Sequence, residues 1–156
     1  MKIEVISVGK VKQPFVLEGE REYLKRLAPW TKLKIGELSA DKFNKLPEPQ
    51  MKEKEGELFL SAVEGIEVLV VLDEGGKQKS SAELAKFFRD KMNDGVGSIT
   101  FGIGGAYGWD DKVRKKADLV ISLSSLTFPY QLCRLILVEQ IYRAFSIIKG
   151  VPYHKA

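Results

Sequence analysis

The sequence predicts an α/β domain, a mostly parallel sheet with helices on both faces. Short β-branched runs alternate with segments of helical periodicity along the whole chain. Two runs, residues 66–72 (IEVLVVL) and Ser98–Ile103, are apolar almost without interruption. That is the pattern of strands covered on both faces, hence central in a parallel sheet. No repeat, low-complexity tract or long linker breaks the 156 residues, so one domain, 1–156, is expected.

Lys2–Val8 carries Ile3, Val5, Ile6 and Val8, enough for a first strand, and Gly9 ends it. Pro14 sits where the first turn of a helix tolerates it. From there Val16, Tyr23, Leu24 and Leu27 recur at helical spacing opposite Glu18, Glu20, Arg21, Glu22 and Lys25, until Pro29. Leu33, Ile35 and Leu38 mark a second strand. Residues 41–49 read as a charged, proline-bounded loop. Residues 51–63 read as a helix with Leu58, Phe59, Ala62 and Val63 inward, closed by Gly65. After the central run 66–72, residues 73–77 (DEGGK) read as the loop beyond a strand end. Ser80 or Ser81 caps the next helix, whose buried stripe is Leu84, Phe87, Phe88 and Met92. Asp110 or Asp111 starts a short helix over 112–117, and 119–123 is the fifth strand. The last helix, 130–148, is apolar almost all round. Such a helix needs cover on several sides. This points to a second copy of the chain as well as to the sheet, and so to a homodimer.

A net charge of +4 and a pI near 9.1 permit a nucleic-acid partner without requiring one. The single cysteine, Cys133, excludes an internal disulfide. With only one histidine besides, a zinc site of the usual His/Cys kind cannot be built from one chain, and no metal is expected. No window reaches the roughly 18 apolar residues of a membrane helix. The opening Met1-Lys2-Ile3-Glu4 has no leader-like run, so a cytoplasmic protein is expected.

In parallel sheets ligands bind beyond the carboxyl ends of the strands. Three loops qualify: those after Leu72, Ile103 and Leu123. The second is rich in glycine (Gly102, Gly104, Gly105, Gly108). It is no dinucleotide fingerprint, since Tyr107 stands at the third glycine's place and the loop follows a late strand. It also lacks the Gly-Lys-Ser/Thr ending of a P-loop. The third is Ser124-Ser125-Leu126-Thr127, closed by Phe128-Pro129. Neither carries a cluster of Lys or Arg, which disfavours a bound phosphate. A neutral or cationic nucleoside held by main-chain groups and apolar contacts fits better. Lys112, Arg114, Lys115 and Lys116 form a basic run, readable as a solvated face or as an RNA contact. Lys10, Lys12, Lys42, Lys45, Lys77 and Lys79, in or beside loops, could extend a phosphate-contacting surface. Glu139 and Arg143 are four apart and can form an ordinary helix ion pair. His154 lies near the end of the chain, where fraying is the default.

Taken together, several stretches resemble one family. They are Leu72-Asp73; Gly104-Gly105-x-Tyr107-Gly108; Leu123-Ser124-x-Leu126-Thr127-Phe128-Pro129; Glu139-Gln140-x-Tyr142-Arg143-Ala144; and the closing Pro152-Tyr153-His154-Lys155. Along its whole length the chain resembles the RlmH-type 23S ribosomal RNA methyltransferases of the SPOUT class. That resemblance implies an α/β fold with a carboxyl-terminal trefoil knot, a homodimer, and S-adenosyl-L-methionine as cofactor. The implied reaction is methylation of N3 of a pseudouridine in a stem-loop of 23S rRNA on the assembled ribosome. The family's cofactor positions fall on Leu72, Gly104, Leu123, Ser124, Ser125, Leu126, Thr127 and Phe128, the three loops already picked out by topology. Its YRA and YH motifs fall on Arg143, Tyr153 and His154, implied to be catalytic. His154 is the side chain suited by its ordinary pKa to take the imide proton. One departure is Tyr130, where the family commonly has histidine after Phe-Pro. The competing reading is a non-catalytic ribosome-binding protein on the same fold.

Overall fold

A computed structural model describes residues 1–155. Its five strands are β1 (Lys2–Val8), β2 (Lys32–Leu38), β3 (Leu69–Gln78), β4 (Ser98–Ile103) and β5 (Leu119–Ser122). They form one sheet in the order β2-β1-β4-β3-β5, with every neighbouring pair parallel. The helices are α1 (Pro14–Leu27), α2 (Glu48–Ala62), α3 (Ser81–Asn93), α4 (Asp111–Lys116) and α5 (Tyr130–Lys149). Parallel strands need long return connections, and these helices supply them, so all carboxyl ends share one edge.

Side chains alternate across the strands and build two cores. On one face Ile3, Val5, Val70 and Phe101 pack with Phe88 of α3 and Leu137, Ile141 and Phe145 of α5. On the other, Ile6, Val8 and Val71 pack with Phe59 of α2, Trp109 and Val113 of α4. The segment expected to carry the trefoil leaves β5 at the sheet's edge, passes through residues 123–129 and returns in α5, which packs against both α1 and α3.

α5 is held at both ends, and this fixes its direction. At the carboxyl edge the Tyr130 hydroxyl donates to the Lys10 carbonyl (3.0 Å), and Gln131 Oε1 accepts from the amides of Lys12 and Gln13 (3.1 and 3.2 Å). At the amino edge Tyr142 stacks on Trp30 (centroids 5.6 Å apart). The next residue, Thr31, donates to the Met1 carbonyl (2.7 Å). A stripe of Leu132, Ile136, Glu139, Gln140, Arg143 and Ile147 stays only half covered.

Between these ends Arg134 is 2 % exposed. Its Nε and Nη2 meet both oxygens of Glu20 on α1 (2.8 and 3.1 Å). Its Nη1 reaches Ser7 of β1 (3.1 Å) and Glu37 of β2 (2.9 Å). One guanidinium thus ties the last helix to three earlier elements.

Three expectations change in detail. β3 does not end at Leu72: both Leu72 and Lys77 align with Ile121, and Gln78 with Ser122, so Asp73, Glu74, Gly75 and Gly76 are looped out within a continuing strand. That pairing is non-local and cannot be read from DEGGK. It also begins at Leu69, not 66. α2 begins at Glu48, because the two prolines fall at its first turn rather than ahead of it. Its inward residues are Glu55, Gly56, Phe59 and the following Val63, while Leu58 is half buried and Ala62 exposed.

The α2 face is tight. A Cβ at Gly102 in β4 would stand 2.4 Å from the Phe59 ring. Gly102→Ala is expected to cost about 1–3 kcal/mol by overpacking. A denaturation midpoint unchanged from wild type in urea would contradict this.

Candidate active site

Strands β4, β3 and β5 are neighbours, so the three loops singled out by sequence lie side by side at the carboxyl edge. After β4 the chain turns tightly: the Gly108 amide donates to the Gly105 carbonyl (3.0 Å), and Gly108 takes φ 76°, which glycine adopts without strain. Gly104 is buried, with Gly108 and Trp109 against it. After β5, Ser124 organises its own loop: its carbonyl accepts from the Ser122 hydroxyl (3.0 Å) and its Oγ accepts from the Leu126 amide (3.0 Å). Ser125 accepts from Gln78 Nε2 (2.8 Å), and Thr127 donates to Glu74 (3.5 Å). The looped-out part of β3 therefore braces the loop after β5. Leu72 and Phe128 are half buried, and Leu126 is 70 % exposed.

Arg114 joins the other two loops. Its Nη1 donates to Asp73 (3.0 Å) and to the Trp109 carbonyl (3.1 Å), and its Nη2 to Asp111 (2.5 Å). Those carboxylates raise its pKa, with Asp111 the larger contributor. Lys112 pairs with Glu53 (3.3 Å). Of the basic run, only Lys115 and Lys116 have no ion pair among the described residues, so half of it is structural.

A cleft of about 300 Å³ adjoins this edge, lined by Ser81 and Leu84 of α3, Ser122 and Leu123, and Ile136 and Gln140 of α5. A separate cleft at the amino edge, beside Lys2, Lys32 and Lys34, contains none of the sequence-predicted site residues.

The trio from the closing motifs is brought together, but elsewhere. Arg143 donates from Nε to Glu139 Oε1 (3.0 Å), its Nη1 faces His154 Nδ1 (3.3 Å), and its guanidinium lies 4.7 Å from the Tyr153 ring centre. The Tyr153 hydroxyl donates to Glu139 Oε1 (3.0 Å) and meets that of Tyr23 at 3.3 Å. Burial, then the bonds to Tyr23 and Glu139, push the Tyr153 phenol far above its ordinary value, so it serves as a donor and not as a base. Arginine only donates, so His154 Nδ1 is the acceptor here and Nε2 carries the proton. The tail is not frayed: it is packed on α5, with Tyr153 edge-on to Tyr142 (4.6 Å).

These residues sit at the amino edge, beside Trp30. Arg143 is thirteen residues along α5 from Tyr130, roughly 20 Å of helix. Within one chain no hydrogen bond among the described residues joins the cofactor-type loops to the Arg143–Tyr153–His154 group; the link between them is Gln140, which lines the cleft beside Leu123 and donates to Glu139. Tyr130 is not aimed at the loops as a base: its proton is engaged by Lys10, and its ring lies against Gly9.

A parallel α/β sheet with three adjoining main-chain loops at its carboxyl edge, and no cluster of cations to grip a phosphate, has the layout of a nucleoside-binding site. Comparison with known proteins narrows this. A family model described as "Predicted SPOUT methyltransferase" matches residues 1–154. The chain is 46% identical to ribosomal RNA large subunit methyltransferase H of Latilactobacillus sakei and 45% identical to that of Streptococcus gordonii. Each match covers 99% of this chain and 100% of the relative. Among solved structures, a probable methyltransferase from Bordetella pertussis has a TM-score of 0.58 at 12% identity, covering 91% of this chain and 95% of that one. The tRNA (m1G37) methyltransferase of Aquifex aeolicus has 0.57 at 14%, covering 92% and 70%. These two speak to the fold alone. The chain belongs to the SPOUT methyltransferase family, whose members use S-adenosylmethionine.

The residues present fit that cofactor. It is a sulfonium cation with a neutral nucleoside end. The loops offer main-chain groups, serine and threonine hydroxyls and apolar side chains, without the cations a phosphate would need. No helix among the described residues is long and apolar enough to cross a membrane. Sequence reasoning did not single out Glu55, whose buried carboxylate lies against Gly105, nor the bracing roles of Gln78, Arg114, Gln131 and Arg134. Arg134 had a signal: a charge among apolar positions on a helix that is apolar almost all round.

Proposed function

We propose that this chain methylates N3 of a pseudouridine in a stem-loop of 23S rRNA, using S-adenosylmethionine, in the cytoplasm and on the assembled ribosome. Full-length likeness to the large-subunit methyltransferases H carries this reading. The whole chain, 1–156, acts as a single SPOUT-type domain.

Leu72, Gly104 and the run Leu123, Ser124, Ser125, Leu126, Thr127 and Phe128 hold the cofactor. When bound, it supplies an activated methyl group. The chain's own task is to place the target nitrogen in line with that group and exclude competing water. The N3 imide is protonated at neutral pH and must lose its proton as it attacks. His154 takes that proton once its Nδ1 leaves Arg143, or through Nε2 in the other tautomer. Arg143 then faces the developing anion, and Tyr153 donates a hydrogen bond or stacks on the base.

We further propose that the active unit is a homodimer. The observation favouring it is that within one chain no hydrogen bond among the described residues joins the tail group to the loops, while Tyr130 and Arg143 stand roughly 20 Å apart along α5. The half-covered stripe on α5, apolar at Leu132, Ile136 and Ile147 and polar at Glu139, Gln140 and Arg143, is the surface available for pairing, and Leu126, Phe15 and Val151 are exposed besides. With two α5 helices crossing, the tail of each chain meets the loops of the other.

The test is methyl transfer to 50S subunits or 70S ribosomes lacking the mark, followed by mass spectrometry of the digested 23S rRNA. Transfer is expected on ribosomes and weakly on protein-free RNA. Singly, His154→Ala, Tyr153→Phe and Arg143→Gln are expected to lower kcat by at least about tenfold while leaving cofactor binding unchanged. Full activity in all three would remove the catalytic assignment. Tight ribosome binding with no transfer by the wild type would favour a non-catalytic binding protein.

A further inference from the structure

We infer that Glu55 is a specificity-determining residue: its carboxylate supplies the negative charge by which the glycine-loop cradle prefers the sulfonium cation of S-adenosylmethionine to the neutral thioether left after transfer. This rests on the methyltransferase reading above.

Glu55 is 6 % exposed and has no hydrogen-bond or ion-pair partner among the described residues. A Cβ at Gly105 would lie 2.8 and 3.0 Å from its two oxygens, so the carboxylate is pressed against the main chain of the loop, where only glycine leaves room. Helix α2 places it there: Phe59, one turn on, packs on Gly102 of β4, and Glu55 therefore reaches the residues just beyond that strand's end. The same loop leaves the buried indole Nε1 of Trp109 without an acceptor. Buried polar groups are normally satisfied, yet two unpaired polar side chains, Glu55 and Trp109, lie against this one loop.

The charged groups of the neighbouring elements do not neutralise Glu55. Asp110 lies against Gly56, the next residue, and is also acidic. Arg114 is engaged by Asp73, Asp111 and the Trp109 carbonyl. Asp41 and Lys42 on the short 3-10 turn before α2, and Lys52 on α2 itself, make no bond to it. Burial alone pushes its carboxyl above the ordinary value. A cation arriving on the far side of Gly104 and Gly105 offsets the cost of burying that charge. The neutral product has no such effect and is the more readily displaced.

The test is calorimetry on the full chain with S-adenosylmethionine and S-adenosylhomocysteine. Glu55→Gln is expected to weaken the cation about tenfold, roughly 1.4 kcal/mol, and the thioether less than about twofold. Glu55→Asp, which keeps the charge, is expected to retain part of the preference. Titration of wild type at increasing pH is expected to show affinity for the cation rising as the carboxyl ionises, and affinity for the thioether unchanged. Equal weakening of both ligands in Glu55→Gln would show a merely structural role and overturn the inference. So would equal affinity of the wild type for the two ligands, a measurement that stands even where the variant fails to fold. Failure of wild type to bind either ligand would overturn the methyltransferase reading itself.

Discussion

Mixing two inactive variants is expected to restore about a quarter of wild-type methyl transfer. One is His154→Ala, which removes the tail base. The other is Leu126→Arg, which puts a cation into the cradle of a cationic cofactor; Leu126 is exposed, so the fold survives the change. Random pairing makes about half of the dimers mixed. In a mixed dimer with sites shared between chains, one site combines both defects. The other combines the intact loops of the His154→Ala chain with the intact tail of the Leu126→Arg chain. One working site in half of the dimers is about a quarter of all sites. Were each site built from one chain, no mixed dimer would hold an intact site and mixing would restore nothing. The measurement is methyl incorporation into ribosomes after the two variants are co-expressed or refolded together. A mixture as inactive as its components would refute the shared site.

That prediction depends on geometry only partly legible in the sequence. The alternation of strands and helices and the double-sided burial of 98–103 were readable because periodicity and composition are local. That the three candidate loops lie side by side was readable because a parallel sheet gathers its carboxyl ends. The separation of Arg143 from those loops was half readable. Thirteen residues of helix fix a length, but not which edge of the sheet the helix starts from. The contacts of Tyr130 and Gln131 with the loop after β1 settle that, across some 120 residues of sequence. The continuation of β3 was hidden because Asp73-Glu74-Gly75-Gly76 has the composition of a turn, while the partner that makes it strand lies beyond residue 118. Glu55 was hidden because on its own helix it is one glutamate among several. Only the tight seating of Phe59 on Gly102 marks its side as inward. The knot has no local signature at all and came from the resemblance of whole motifs.

Arg134→Ala is expected to be the most destabilising single change in the molecule, by about 3–5 kcal/mol, because it strands a buried carboxylate. Glu20 is itself buried, and Arg134 grips both of its oxygens. Without the guanidinium, Glu20 must stay charged and unpaired, take up a proton, or drag α1 away from α5. A double change, Arg134→Met with Glu20→Met, removes both charges and keeps the volume, so it is expected to recover much of the loss. Recovery would show that the network's cost lies in being broken rather than in being absent. The acid limb of stability should move too. Burial alone would push the Glu37 carboxyl up, but the Val11 amide (2.6 Å) and Arg134 outweigh it and hold it below its ordinary value. A carboxyl depressed in the folded state adds stability above its unfolded pKa, about 4.3. That contribution is lost as pH falls through the lower folded value. Wild type should therefore begin to lose this contribution as pH falls below about 4, whereas Arg134→Ala, destabilised at every pH, should show a flatter acid limb because its Glu37 is less depressed. Urea midpoints measured from pH 3 to pH 7 for the three proteins decide the matter: parallel curves would remove the ion network from the account of how α5 is held.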